Sequence, residues 1–366
     1  MSGENRVVEE QVNFFQSQGF EVFTHILSTN ELVDKRFYKL FAFLRVALSF
    51  LFDKRLLEKY GDIDLIILHN TFPNIGTGWL THCKIPVIRF IHNYRDICAN
   101  GLLYRDGKDC FLCPQGDKYA SLRYRCYRDS FIATLSIFAG INFFKNKMQI
   151  LKPAIHITVS EFQSKILSEF GHDKRNFQVL KNYANPPINI QISTREKTWV
   201  SVGRLTHGKG FLQLIQNWPS HLTLEIIGDG ELRDDCEQYI KSHFIKNIHL
   251  RGYLPPTTIS SELPKYCGGI IPGLTKEPAP LVFGEFIAAR LPVIGLRNTF
   301  AGEEISKFGC GIVIEKLSYS ELENAIIQIS SNRSNFATKS YSTFQNVYAK
   351  EIWQKNMLNL LSQVKS

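Results

Sequence analysis

Val8, Val12 and Phe15 recur at helical spacing near the start of the chain, and Gly19 follows as a stop, so the opening segment reads as an amphipathic helix. The period then changes. FEVFTHIL (20–27), DIDLIILHN (62–70) and IPVIRFIHN (85–93) are short, apolar and β-branched, which predicts strands. AIHITVS (154–160) and FQVLKN (177–182) repeat the pattern around EFQSKILSEFG, a helix closed by Gly171. A linker, NYANPPINIQISTREK (182–197), is rich in proline, asparagine and polar residues. Beyond it the rhythm restarts. TWVSVGRL, LTLEIIGDG, NIHLRGYL, CGGIIPGL, LPVIGL and GCGIVIE read as strands, with helical patterns between most of them. Such alternation predicts parallel sheets covered on both faces. Two runs joined by one linker predict an α/β chain of two Rossmann-like domains, 1–187 and 188–345, facing a central cleft. Residues 346–366 read as a C-terminal helix that packs back toward the first domain.

Composition changes this picture little. The 366 residues are 44% hydrophobic, enough for a substantial core, and the formal charge is +9. That surplus is larger in the first half. It favours anionic partners such as nucleotide phosphates, an acidic membrane surface or nucleic acid. The start, MSGENRVVEEQVNFF, has no apolar signal region, and eight cysteines in a chain of this length suit a reduced, cytoplasmic protein better than a disulfide scaffold. No apolar run reaches the roughly 18 residues of a spanning helix.

Two stretches of the second half carry candidate chemistry. In SVGRLTHGKGFLQLI a strand runs into a glycine, Gly203, then Arg204, a short loop, and Lys209 just before a helix. Two cations on a strand-to-helix loop suit a diphosphate, because arginine binds two oxygens at once and lysine supplies a point charge. The bland alternative is two solvated cations. In LTKEPAPLVFGEF, Glu277 precedes a proline bend and Glu285 lies a turn inside a helix of about three turns. The first amides of that helix, near Leu281 and Val282, point toward the same space. Carboxylates there accept bonds from ribose or sugar hydroxyls. The bland alternative is that Glu277 caps the helix and Glu285 is solvated.

GRLTHGKG, IGDGELR and E-x(7)-E within EPAPLVFGEFIAARLPVIG, in this order, resemble retaining glycosyltransferase family 4, of the GT-B fold (glycosyl transferases group 1). GENRVVEEQVNFFQSQGFEV and VSEFQSKILSEFGHDKRNFQVLKN extend the resemblance to nearly the whole chain. It implies a sugar transferred with retention from a UDP- or GDP-sugar to a saccharide or lipid-linked acceptor. Catalysis needs no metal and the product belongs to cell-surface polysaccharide or glycolipid synthesis. Arg204 and Lys209 would hold the donor diphosphate, with Gly3, Gly203, Asp229, Leu281 and Val282 around the donor. Glu285 would take the ribose, Glu277 the transferred sugar, and His92 in FIHNYR would face that sugar from the first, acceptor-side domain. The sequence departs from the family in three places. Pro278-Ala279-Pro280 replaces a glycine-bearing turn, Arg290 stands where glycine is common, and Phe300-Ala301 replace a Gly-Gly pair. The resemblance also implies a strand and glycine loop before the first helix. Met1-Ser2-Gly3-Glu4 leaves only Gly3 of it, so the first strand is expected to be missing, with a truncated, inactive GT-B protein as the alternative.

Cys98, Cys110, Cys113 and Cys126 follow C-x(11)-C-x(2)-C-x(12)-C within an insertion, 98–126, that has few apolar residues. Four thiolates at such spacing can hold a structural zinc ion; free thiols are the other reading. With Arg123, Arg125 and Arg128 nearby, a zinc-bearing nucleic-acid binder is a second class, disfavoured because it leaves the second half unexplained. Cys83, Cys236, Cys267 and Cys310 read as packing residues. Asp62 and Asp64 mimic a metal-binding D-x-D but open a strand. His69 reads as a structural strand-end histidine. Phe37–Phe52 reads as a helix buried in the first domain, or, with Phe131–Phe144, as a contact with an anionic membrane.

Overall fold

The computed structural model describes residues 3–143, 155–170, 177–187 and 197–365. Linker positions 188–196, Gly171 and Phe144 lie outside them. The chain divides into two compact units: Met1–Arg105 with Cys110–Leu180 and Leu358–Ser366, and Asp106–Asp109 with Lys181–Met357.

The first unit is built on a four-stranded parallel sheet. Its strands are β1 (Ile66–Leu68), β2 (Val87–Ile91), β5 (Ile155–Thr158) and β6 (Phe177–Val179), in the order β1-β2-β5-β6. The short strands β3 (Tyr104–Arg105) and β4 (Lys108–Asp109) pair as a separate two-stranded sheet, β4 falling in the second unit. Apolar side chains on both faces of β2 give it a buried centre, with Ile88 fully buried. Helix Glu161–Glu169 starts where the Ser160 hydroxyl accepts from the Gln163 amide at 3.1 Å. Helix Gly3–Ser17 buries Val7, Phe14 and Phe15 and stops before Gly19 at φ +81°.

Two expectations for this unit need correction. FEVFTHIL forms no strand. An extended chain becomes a strand only with a hydrogen-bonded neighbour, and 20–27 pairs with none among the described residues. Side chains hold the segment instead: His25 meets the Tyr60 hydroxyl at 3.0 Å, and Asn74 donates to the Leu27 carbonyl at 3.2 Å. Phe37–Phe52 is not one buried helix. It is helix Tyr38–Ala47 followed by a single 3-10 turn, Ser49–Leu51, and Phe37, Leu40, Phe41 and Leu51 are exposed. Helix Phe131–Asn142 crosses it closely. A Cβ on Gly140 would fall 2.6 Å from the Val46 carbonyl oxygen, so only glycine lets the backbones approach this far.

The second unit holds six parallel strands: β7 (Thr198–Val202), β8 (Thr223–Ile227), β9 (Ile248–Gly252), β10 (Gly269–Ile271), β11 (Val293–Leu296) and β12 (Gly311–Ile314). Their order is β12-β11-β10-β7-β8-β9. The direction of strand progression reverses between β7 and β10. In open α/β sheets that reversal leaves a crevice at the carboxyl ends of the two central strands, where ligands bind. Trp199, Leu214, Leu224, Ile226, Ile270 and Ile294 are among the core residues around the sheet.

A buried ion pair also lies in this unit. Lys181 donates to both carboxylate oxygens of Glu304 at 2.8 Å, and their side chains are only 9% and 5% exposed. The Tyr348 hydroxyl donates to the same carboxylate.

Candidate functional site

The loops at the carboxyl ends of β7, β8 and β10 are held together by close backbone contacts. Gly203 donates to the Ile227 carbonyl at 3.0 Å, and Leu205 donates to the Asp229 carbonyl at 3.0 Å. Gly228, at φ +147°, has no room for a side chain: a Cβ would lie 1.8 Å from the Gly203 carbonyl oxygen. Asp229 is exposed. Its carboxylate accepts from the Gly230 amide at 2.8 Å and lies 3.7 Å from Arg233. The loop after β10 is drawn in next, where Leu274 donates to the Gly208 carbonyl at 2.8 Å. Gly210, at φ +72°, sits against Pro272, whose carbonyl oxygen would be 2.0 Å from an added Cβ. The glycines of GRLTHGKG thus press one loop onto the next.

That contact brings Lys209 and Glu277 together. The Lys209 ammonium donates directly to the Glu277 carboxylate, and both side chains stay about a quarter exposed. Glu277 therefore does not cap the following helix. Pro280 occupies the N-cap position of Leu281–Ala288, and no side chain caps it. Leu281 and Val282 form its first turn, and Glu285 lies one turn in, half-buried. The helix spans eight residues, nearer two turns than the expected three. Leu291 donates to Phe286 and Arg290 to Ile287, the pattern of a helix ending on a left-handed residue. Arg290 is that residue, at φ +61°, which explains why glycine suits the position. Its guanidinium lies 4.1 Å from the centre of the Tyr341 ring, a cation–π contact that offsets part of the strain. Arg204 is exposed at the start of the loop after β7. Lys276, which no local pattern marked, is buried and donates to the Asn298 carbonyl at 2.7 Å.

A separate pocket of about 80 Å³ lies in the first unit, lined in part by His69, Phe72, Arg89, His92 and Arg95. The β1–β2 register pairs Leu68 with Arg89, so the next step sets His69 beside Phe90, with His92 two residues further on the same face. The rings of His69 and Phe90 stack at 4.9 Å, and His69 Nδ1 lies 2.9 Å from His92 Nε2. His69 thus has a specific polar partner that the strand pattern alone did not reveal. Burial lowers the His69 pKa to about 3, with His92 adding to the shift, and burial lowers His92 to about 4. Both rings are therefore neutral near pH 7, one donating to the other.

This has a consequence for acid stability. The unfolded histidines titrate near 6.5. Between that value and the folded pKa values the unfolded chain binds more protons, so stability rises with pH there and is lost as pH falls. Thermal melts should show the midpoint dropping from pH 7 to pH 4.5, and a His69→Gln/His92→Gln double variant should show a shallower drop.

Gly3 begins the first helix. Asp62 and Asp64 are exposed and precede β1, away from its carboxyl end. Cys98, Cys110, Cys113 and Cys126 are half-buried free thiols. Burial pushes Cys113 up to about 11 and Cys126 up to about 12, and neighbouring thiols of the set push in the same direction. No group of three His, Cys, Asp or Glu side chains among the described residues is arranged to hold a metal ion. Cys236, Cys267 and Cys310 are buried, as packing residues should be, and Cys83 is half-buried. No helix among the described residues is long and apolar enough to cross a membrane.

Residues 187–345 match the family described as glycosyl transferases group 1. No curated protein sequence matches the chain. Among solved structures, WaaG, a glycosyltransferase involved in lipopolysaccharide biosynthesis, aligns with a TM-score of 0.64 at 15% identity, covering 98% of this chain and 96% of that one. The apo form of the lipopolysaccharide outer core galactosyltransferase WaaB gives 0.61 at 13% identity, covering 99% and 96%. Anabaena Alr3699/HepE in complex with UDP gives 0.59 at 15% identity, covering 86% and 81%. Likeness at these identities is one of fold, and that fold is GT-B. The second unit thus combines the family match of a group 1 glycosyl transferase with a six-stranded, doubly wound sheet.

Proposed function

We propose that this chain is a retaining glycosyltransferase of family 4. It moves a hexosyl group from a UDP- or GDP-sugar to a saccharide or lipid-linked acceptor in cell-surface polysaccharide or glycolipid synthesis. The observation that carries this reading is the Lys209–Glu277 pair, formed at the carboxyl ends of the two strands where the sheet order reverses. A cation and a carboxylate side by side suit a ligand with a diphosphate next to hydroxyls. Arg204 and Lys209 bind the diphosphate and stabilise the charge that grows on it as the glycosidic bond breaks. Glu277 accepts bonds from hydroxyls of the transferred sugar and Glu285 from the ribose. The amides of Leu281 and Val282 add dipoles toward phosphate, while Gly203 and Asp229 shape the facing loops. The acceptor hydroxyl attacks from the face the diphosphate leaves, which retains configuration.

The same reading assigns His92 to the transferred sugar. Its pKa of about 4 keeps the ring neutral at pH 7, so it presents a hydrogen bond without adding charge. The exposed Phe37, Leu40 and Phe41, beside exposed Lys35, Arg36 and Lys39, support a cytoplasmic protein that touches an anionic membrane surface peripherally. UDP in the HepE complex supports a uridine donor. The test is a panel of UDP- and GDP-sugars, scored by nucleoside diphosphate release with saccharide and lipid-linked acceptors, and by NMR of the product anomer. One donor should give acceptor-dependent release with the donor's anomeric configuration kept. No release from any nucleotide sugar, or an inverted product, would overturn the reading.

A further inference from the structure

We propose that Cys98, Cys110, Cys113 and Cys126 take one Zn²⁺ ion as a structural tetrathiolate centre that fixes the turn after β2. This stands independently of the sugar-transfer reading. All four thiols are half-buried and none is in a disulfide. They lie within electrostatic reach of one another: Cys98 and Cys110 act on both Cys113 and Cys126.

Backbone bonds fix each of them in its own turn, and Ser121 ties two together: its backbone bonds the Cys113 sulfur and accepts from the Cys126 amide. Cys98 donates its amide to the Tyr94 carbonyl at 2.9 Å, in the turn that follows His92. The β3–β4 hairpin returns the chain, so that Cys110 donates to the Leu103 carbonyl at 2.8 Å. Cys113 directly follows Phe111–Leu112, in a knuckle where Gly116 donates to its carbonyl at 3.1 Å. Cys126 donates to the Ser121 carbonyl at 3.0 Å.

The segment between these cysteines has little regular structure. Its regular elements are two strands of two residues each and one four-residue helix. Leu103, Asp106 and Arg125 adopt left-handed backbone angles, at φ +52°, +50° and +47°, which cost energy outside glycine. Only Ala99, Leu103 and Ala120 supply buried hydrophobic side chains between Cys98 and Cys126. A small loop-rich unit with so slight a core is where a metal crosslink contributes most.

Charge fits as well. Four thiolates and one Zn²⁺ leave two net negative charges, and the Arg105 guanidinium acts on Cys126. Four protein ligands leave no open position, so the ion holds structure and does no chemistry. Binding requires side-chain rotation. The Cys98 thiol now donates to the Asn100 side-chain oxygen at 3.0 Å, and no three ligands yet close on one point, where zinc–sulfur bonds of about 2.3 Å are needed. Each thiol gives up its proton as its bond to zinc forms.

The consequence reaches the pocket of the first unit. The Arg95 guanidinium lines that pocket and donates to the Ala99 carbonyl at 3.1 Å, and Tyr94 donates to Gly101 at 3.2 Å. Anchoring Cys98 therefore anchors Arg95 and the segment that follows His92.

The experiment is metal analysis of the full chain, purified with reductant from zinc-supplemented culture and freed of loose metal by gel filtration. The expected result is ~1 zinc per chain, released as a mercurial titrates the thiols. Cys110→Ser and Cys113→Ser should lose at least nine-tenths of it, and Cys83→Ser none. Because those variants can misfold, cobalt exchange into the wild-type chain is the second measurement. It should give thiolate-to-cobalt charge-transfer absorption and four thiols protected from a thiol reagent. Wild-type protein free of metal with all four thiols reacting, a mapped disulfide within the set, or zinc content unchanged in Cys113→Ser would overturn the proposal.

Discussion

Lys209→Ala and Glu277→Ala should each lower sugar transfer by about 10²–10³-fold, the loss expected when a group serving the transition state is removed. Both side chains are about a quarter exposed on loops at strand ends, so circular dichroism and the melting midpoint should barely change. The two residues nevertheless predict opposite effects on nucleotide binding. With no ligand, the Glu277 carboxylate neutralises the Lys209 ammonium. A nucleoside diphosphate must displace it. Partly exposed ion pairs of this kind are worth about 0.2–1 kcal/mol. Glu277→Gln should therefore bind free nucleoside diphosphate about 1.5- to 5-fold more tightly while transferring sugar poorly. Lys209→Ala should bind it more weakly. Calorimetric titration with parallel turnover measurements separates the two. Equal affinity in wild type and both variants would remove this pair from the donor site.

The largest effect on stability is expected at Lys181. Lys181→Met leaves the Glu304 carboxylate buried with the Tyr348 hydroxyl and no cation. Breaking a buried pair from one side costs about 3–5 kcal/mol. The Lys181→Met/Glu304→Gln double variant should recover most of that, because it removes the orphaned charge along with its partner. Urea titration of wild type, both single variants and the double variant gives the cycle. A single-variant cost below about 1 kcal/mol would mean that water or another cation reaches Glu304.

Local pattern carried much of the fold. Each predicted strand of the second half is present: the inner strands β8, β10 and β11 are apolar runs buried on both faces, and the edge strand β9 alternates buried and exposed residues. The same reasoning failed at 20–27. Its composition suits a strand, but a strand also needs a neighbour to bond with, and composition says nothing of neighbours. At Phe37–Phe52 apolar composition does not tell a buried helix from one with an exposed apolar face, and Phe37, Leu40, Phe41 and Leu51 are exposed. In the site, glycine spacing marked the loops that bring Lys209 to Glu277, and the proline bend marked the start of the next helix. Contacts across long separations were not legible. Lys181 and Glu304 are 123 residues apart, and His69 meets His92 only because of the β1–β2 register. Neither follows from the periodicity of a single segment.

The central claim is that the carboxyl ends of β7 and β10 hold a nucleoside diphosphate. Titration of uridine diphosphate and guanosine diphosphate into the wild-type chain and into Lys209→Ala tests it most directly. Saturable 1:1 binding of at least one of them, weakened about tenfold or more in the variant, is the predicted result. No binding of either nucleotide, or binding that Lys209→Ala leaves unchanged, would contradict it.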